Sequence, residues 1–532
     1  MENALSSKRC DAYFRKSRCL LPNPALPIST HCAVPFRTSA LLNMPVELIG
    51  QVLSYFPLWD YNENESNTSP HAPSLTTLSH ICLACKALRA LAEPVLYSTF
   101  VKPESKSRRG RGKVESQTLR KFLRTLLERP ELRIHLKTLV LGHWDWQQTH
   151  PSPDNPPSAP PPSAFRKLVL CLAEQVSLGA RQQAWMQHVR AGYEDAEIAL
   201  LLIMVPAVKH LAIQIPECRA DHRHLADDNW YRTVLRASLE ESTQRPFHSF
   251  TRLERLTLLR TGYHGYHCPL PVISELCRIP SLRRLDGWFD MNTCLPLRDR
   301  DIEGCDPVEM EMAKERQGRF DVVDGASSIS SIDLFMNHEN VVRRGYAAIL
   351  VRSCRNLEHF KCRYAIDIPM LADQTGNSNI DDMMYTHHST LKSLTLDGYQ
   401  RYRDFTRHYD ANDRTSRVRS LRGMKVLRKL QLHQSVILVE TVNDDIDDDD
   451  EDGLVQLLPR CIEELTITGV TTRLLPRLKG FFAGLSRSFP ELTTLKMKIE
   501  PLEWEVTEGL WKVQDPVDAW VEEFGVTILQ WL

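Results

Sequence analysis

The sequence predicts an α/β chain in two parts. A small N-terminal bundle of three helices comes first. An array of strand–helix units follows, with parallel strands on one side and helices covering the other. Three observations predict this. A six-residue phrase, apolar-x-x-apolar-x-apolar, recurs nine times between Leu136 and Met497, with a tenth, Leu282-x-x-Leu285, that stops short of the last apolar position. Most phrases follow a stretch with helical apolar spacing, as in Val341 to Cys354 and Leu474 to Phe489. Residues 42–100 instead carry only helix-spaced apolar positions.

Residues 1–40 hold six Lys or Arg and two acids, with prolines at 22, 24, 27 and 35. The composition is that of a transit peptide, but the prolines speak against an amphipathic targeting helix, so a disordered tail is expected. The bundle occupies 41–101. Pro45 suits a first helical position, and Val46, Ile49, Val52, Leu53 and Phe56 then make one apolar face. A second helix is expected over Leu75 to Leu91, carrying Leu78, Ile81, Cys82, Cys85 and Leu88, and Pro94 restarts a short third helix. Residues 62–74, rich in Asn, Ser, Glu and Pro, are expected as a surface loop. Three helices in so few residues bury little area and gain from a partner.

The order Leu42-x-x-Pro45-x-Glu47-Leu48-Ile49, then Val52-Leu53, then Cys85-Lys86-Ala87-Leu88-Arg89, then Ala92-Glu93-Pro94-Val95-Leu96-Tyr97 resembles the F-box. The resemblance implies a substrate receptor of a cullin–RING ubiquitin ligase, docked on a Skp-type adaptor and through it on the cullin scaffold. It places adaptor contact on Leu42, Pro45, Glu47, Leu48, Ile49, Val52, Leu53 and Leu78, with Leu88, Pro94 and Leu96 packing the bundle. The 62–74 insert departs from the family pattern.

A basic linker, 102–118, follows, containing KPESKSRRGRGK. It reads as a solvated hinge or a nuclear signal. The array spans 119–515. Its phrases begin at Leu136, Val208, Leu253, Leu282, Ile329, Leu357, Leu391, Leu427, Ile462 and Leu492, and in the second half they lie about 28–36 residues apart. The last two apolar positions of a phrase alternate along a strand and point into the core, while the residue between them faces out. One unit cannot bury its own apolar face, so units stack. The array resembles the irregular leucine-rich-repeat horseshoes found behind F-boxes, although the Asn or Cys usual after the strand is missing. Three insertions are expected, at 147–163 (Pro-rich), 297–325 (charged) and 443–453 (an acidic run). Residues 516–532 have helical apolar spacing and are expected as a helix capping the array.

The 532-residue chain has a formal net charge of −1, which speaks against a general nucleic-acid binder. Its longest apolar run, Ile198 to Val208, is too short to span a bilayer, so no membrane partner is expected. Fourteen cysteines without paired spacing read as reduced thiols, in the cytoplasm, the nucleus or both. Cys82-x-x-Cys85 lies within a helical pattern with no second pair at metal spacing. His264, His267 and Cys268 lack a fourth ligand, and His387-His388 reads as a loop pair. No phosphate-cradling loop, dinucleotide fingerprint or nucleophile elbow occurs. Neither a catalytic residue, a metal nor a cofactor is therefore expected. Aromatic residues just past strand ends, Trp144, Trp146, Tyr263, Tyr266, Trp288 and Tyr399, are candidates for binding a protein substrate. The expected function is substrate recognition for an SCF-type ligase. The alternatives are a non-ligase interaction scaffold and, more remotely, a thiol or zinc-dependent enzyme.

Overall fold

A computed structural model describes residues 44–62, 67–102, 115–142, 167, 169–172, 178, 181–214, 230–239, 250–259, 275–289, 323–336, 350–364, 384–398, 418, 421–437, 453–470, 474–499 and 528–531. The chain divides into two compact units, Met1–Val52 and Leu53–Leu532. The expected tail, most of the three insertions and residues 516–527 lie outside the described residues.

The first unit carries most of helix α1, Val46–Ser54. Pro45 stands just before it, and its carbonyl accepts from the Leu48 and Ile49 amides at 3.0 and 3.2 Å, so the proline starts the helix without wasting a donor.

In the second unit the expected loop at 62–74 is corrected. Strands β1 (Trp59–Asn62) and β2 (Asn67–Pro70) pair as an antiparallel hairpin, and α2 (Ala72–Ala84) begins within the insert. His71 caps α2, its ring nitrogen accepting from the Ser74 amide at 3.3 Å, and Pro73 fits the first turn. The boundary to the third helix is also corrected. It falls at Cys85, whose extended backbone breaks the run and whose Sγ caps α3 (Lys86–Leu96) at the Leu88 amide, 3.5 Å away. Pro94 lies inside α3 and does not restart it.

Among the described residues twelve strands form one parallel sheet, ordered β14 to β3 without a skip. Ten of them hold the ten phrases: β4 (Thr138–Leu141), β5 (His210–Ile213), β6 (Arg255–Leu258), β7 (Arg284–Phe289), β8 (Ser331–Met336), β9 (His359–Tyr364), β10 (Ser393–Gly398), β11 (Lys429–His433), β12 (Glu464–Val470) and β13 (Thr494–Ile499). The phrase sets the register. Phe100, Leu139, Leu211, Leu256, Leu285, Ile332, Phe360, Leu394, Leu430, Leu465 and Leu495 pair in one continuous row across eleven strands. Because the side-chain period is two, a slip by one residue would turn every leucine in that row out of the core.

The turn before each strand repeats as well. One carbonyl of each unit accepts two consecutive amides of the next, from Ser98 with Lys137 and Thr138 through to Glu463 with Thr493 and Thr494, all at 2.7–3.1 Å. Ser281, Thr390 and Cys461, each just ahead of its phrase, donate a hydroxyl or thiol to carbonyls of the preceding unit. Insertions of very different length therefore leave the unit-to-unit contact unchanged.

Helices pack on the leucine side and share its core: α4 (Glu115–Glu128), α5 (Gln182–Ala191), α6 (Glu194–Met204), α7 (Trp230–Leu239) and α10 (Leu475–Ser488). A 3₁₀ turn, Pro130–His135, and the short helices α8 (Gln434–Ile437) and α9 (Gly453–Leu457) complete the elements. The apolar run expected not to span a bilayer begins in α6, every residue of which is buried, and continues past its end at Met204. No helix among the described residues is long and apolar enough to cross a membrane.

Two strands lie outside the phrases. β3 (Thr99–Lys102) opens the sheet, so the array begins inside the expected bundle and ahead of the expected linker, while α4 takes up the linker's last residues. β14 (Ile528–Trp531) pairs with β13 and closes the sheet, so the expected capping helix is corrected there: residues 528–531 are strand, because the edge of β13 offers unpaired backbone groups that a further strand satisfies.

Gly287 stands in the second core row between Leu258 and Leu334. Its φ is +133°, and a Cβ there would lie 2.1 Å from the Leu258 carbonyl oxygen. Gly287→Ala should cost at least about 2 kcal/mol through backbone strain and displacement. An unchanged denaturant midpoint in that variant would refute this reading of β7.

Candidate functional site

The face of the sheet on which no helix packs among the described residues is built by the residues between the leucines. Over the first strands it is apolar: Val101, Val140, Ala212 and Leu259 form a small cluster, and Trp59 of the hairpin packs against it. The Trp59 ring lies 5.7 Å from that of His210. His210 Nε2 is 2.9 Å from the Thr257 hydroxyl. Burial, helped by the nearby Arg255 charge, pushes the imidazole down to about 4, so this histidine is neutral at physiological pH. The hairpin thus covers the start of the face.

From β6 onward the same positions are mostly polar: Asp286, Asp333, Lys361 and Lys496 carry charge, and Thr257, Thr395, Gln431 and Thr466 do not. Asp286 receives the Nε of Arg255 at 2.5 Å and of Arg284 at 2.7 Å. Asp333 receives Lys361 at 3.4 Å and Arg363 at 3.2 Å, and the Arg363 guanidinium lies 5.7 Å from the Phe335 ring centre. Asp397 accepts from Gln431 at 3.0 Å and from the Thr468 hydroxyl at 2.8 Å. His433 is buried beside Gly469, whose φ of +69° and lack of a Cβ leave room for the imidazole. Burial lowers the His433 pKa against the opposing pull of Asp397, and Lys498 lowers it further. Each of these carboxylates is shared with neighbouring strands, so the face is a cross-strand polar lattice.

A second polar cluster is internal. The first turn of α6 buries Glu194, Asp195 and Glu197. Lys102 of β3 reaches Glu194 at 3.2 Å, Arg120 of α4 reaches Glu197 at 2.7 Å and the Gly192 carbonyl at 2.7 Å, and Asp195 accepts the Trp230 amide at 2.6 Å. Burial raises the Glu197 carboxyl to about 8 against Arg120's downward pull. The cluster ties β3, α4, α6 and α7 together.

The structure sorts the residues that the F-box resemblance assigns to an adaptor. Pro45, Glu47, Leu48 and Val52 are exposed, Leu48 at 46% and Val52 at 53%. Ile49, Leu53 and Leu78 are buried. Leu48 and Val52 are one turn apart, as are Ile49 and Leu53, so α1 has two adjoining apolar stripes and leaves one of them in water. Leu42 lies outside the described residues. Trp144, Trp146, Tyr263, Tyr266 and Tyr399 do too, as do His264, His267 and Cys268. Trp288 lies on β7, in register with Phe335. His387, expected in a loop pair, is buried, with Nε2 2.8 Å from the Val351 carbonyl.

The charged lattice was not among the expected sites. Its signal was available in the outward position between the last two core residues of each phrase, which from the third phrase on reads Thr257, Asp286, Asp333, Lys361, Thr395, Gln431, Thr466 and Lys496. Among the described residues no group of three or more His, Cys, Asp or Glu side chains is placed to hold a metal ion.

No protein-family model matches this chain. A search of curated proteins likewise finds no match.

Proposed function

We propose that the chain is the substrate-recognition subunit of an SCF-type cullin–RING ubiquitin ligase, an F-box protein with a leucine-rich-repeat-like solenoid. The single observation that carries this reading is the exposed Leu48–Val52 stripe on a helix that opens with the Leu42-x-x-Pro45 pattern. Water-facing leucine and valine one turn apart, beside a buried pair, are what an adaptor-docking helix requires. The in-order parallel sheet supports the second half of the reading. Each unit contributes one strand to a continuous face, and a face that grows by repetition suits the binding of another protein. The chain then works by proximity, holding a substrate lysine near a charged conjugating enzyme and supplying no catalytic group of its own.

Removal of the chain from cells should lengthen the half-life of at least one protein that co-purifies with it and strip that protein of polyubiquitin. Unchanged half-lives for every co-purifying protein would overturn the ligase reading and favour the non-ligase scaffold.

A further inference from the structure

The polar part of the sheet face opposite the helices has a charge imbalance with a definite layout. Arg255 and Arg284 stand together on β6 and β7, Lys361 and Arg363 on β9, and Lys496 and Lys498 on β13. Lys496 and Lys498 alternate with the buried Leu495 and Met497 and so face away from the core. Among the described residues of this face three carboxylates, Asp286, Asp333 and Asp397, stand against these six cations. Lys429 and Glu464 on the same face satisfy each other at 2.6 Å and leave the balance unchanged. The carboxylates are drawn inward: Asp286 keeps 9% of its side-chain surface and Asp333 keeps 17%, whereas Arg255 and Lys361 keep 40% and 42%. A ligand approaching the face meets the cations first.

We propose that this face binds an extended acidic segment of a protein, laid across the strands with its carboxylates over the three cation groups. The proposal rests on the substrate-receptor reading and names the class of segment that receptor takes. Geometry gives the segment a pattern. Strands lie about 4.8 Å apart and an extended chain advances about 3.3 Å per residue, so acids about three to five residues apart match β6–β7 and β9, and a further acid about six residues on matches β13. The embedded carboxylates choose the class of partner. A nucleic-acid backbone carries phosphate at every step and would meet Asp286, Asp333 and Asp397 with like charge, while a peptide places neutral or donor residues there. Trp59 and the apolar cluster beneath it close off the face over the first strands, so the segment lies from β6 onward.

The test uses the full chain and a fluorescein-labelled peptide of about twenty residues with glutamate at about every third position, the remainder Ser and Ala. Three other probes run beside it: the same peptide with Gln for Glu, a single-stranded RNA of equal charge, and the purified Skp-type adaptor. The expected result is saturable binding of the acidic peptide, at least about tenfold weaker for the Gln peptide and for the RNA, and weakening as salt rises. Lys496→Glu with Lys498→Glu, both at the water-facing side of β13, should lose at least about tenfold in peptide affinity while adaptor binding stays unchanged. Equal binding of the Gln peptide, tighter binding of the RNA, or wild-type affinity in the double variant would overturn the proposal. Those failures with adaptor binding intact would leave the receptor reading standing, whereas loss of adaptor binding in the wild-type chain would strike that reading instead.

Discussion

Leu48→Asp with Val52→Asp should remove adaptor binding while leaving the chain folded. Both side chains face water, so charging them costs the fold little, within about 0.5 kcal/mol each as for ordinary surface positions. In the proposed complex the same side chains become buried anchors. Two anchors at about 2 kcal/mol each predict a loss of at least about a hundredfold in affinity, before the cost of burying carboxylates is added. Val46 supplies the control. It is also exposed, but it lies on the other side of α1 from the Leu48–Val52 stripe. Val46→Asp should leave adaptor affinity within a few-fold. Equal losses from both changes would mean that α1 acts through its stability and not through one face. Undiminished capture of the adaptor by the double variant would remove α1 from the interface.

The second large effect is expected inside the molecule. Arg120→Met keeps the length and apolar stem of the side chain but takes the guanidinium from Glu197 and from the Gly192 carbonyl. Glu197 has 2% of its side chain exposed, so where its carboxylate is charged the loss should be about 3–5 kcal/mol. The penalty should also depend on pH, with a definite sign. Glu197 in the folded chain holds its proton up to about 8, above its ordinary value of 4.5. A group whose folded pKa is raised contributes stability that is present below the unfolded value and is lost as pH rises through the folded one. Without Arg120 the folded value climbs further, because the charge that pulled it down is gone. The Arg120→Met penalty should therefore be smaller near pH 5 than near pH 9, where the carboxylate is charged and has lost its guanidinium. Denaturant unfolding at the two pH values measures this. Equal penalties would show that the guanidinium acts by packing alone.

Lys102 explains much of what the sequence concealed. The ten phrases became ten strands because all but one, where Gly287 stands, carry two core-facing apolar residues two apart, and that pattern survives insertions of very different length. β3 escaped because its second core position, level with Leu141, is a lysine. A lysine in a core row looks like the first residue of a basic linker until Glu194, about ninety residues away in sequence, is seen beside it. Local reading cannot supply such a partner. β14 escaped for the opposite reason: its apolar residues fit a helix as well as a strand, and the choice was made by the open edge of β13. The hairpin at Trp59 was hidden by polar composition, since its one large apolar contact lies on distant strands. The helix break at Cys85 was legible only as a motif residue, because cysteine is a weak capping side chain.

The site was legible in part. Leu48 and Val52 were named from the order of residues around Pro45, but periodicity alone merged the exposed stripe with the buried one formed by Ile49 and Leu53. The aromatic residues past the strand ends drew attention to the rims. The strand interiors hold the charged lattice instead, and its members stand out only when the strands are placed in register, so that Asp286, Asp333 and Lys361 fall in one row. A charge between two leucines looks like ordinary solvent exposure in one strand and like a recognition surface across eight.

Titration calorimetry of the purified chain with a purified Skp-type adaptor tests the central claim most directly. The account predicts one-to-one binding with Kd below about 1 µM and a negative heat-capacity change from burial of the Leu48–Val52 stripe. No binding heat at either of two temperatures with adaptor at about 50 µM would contradict it.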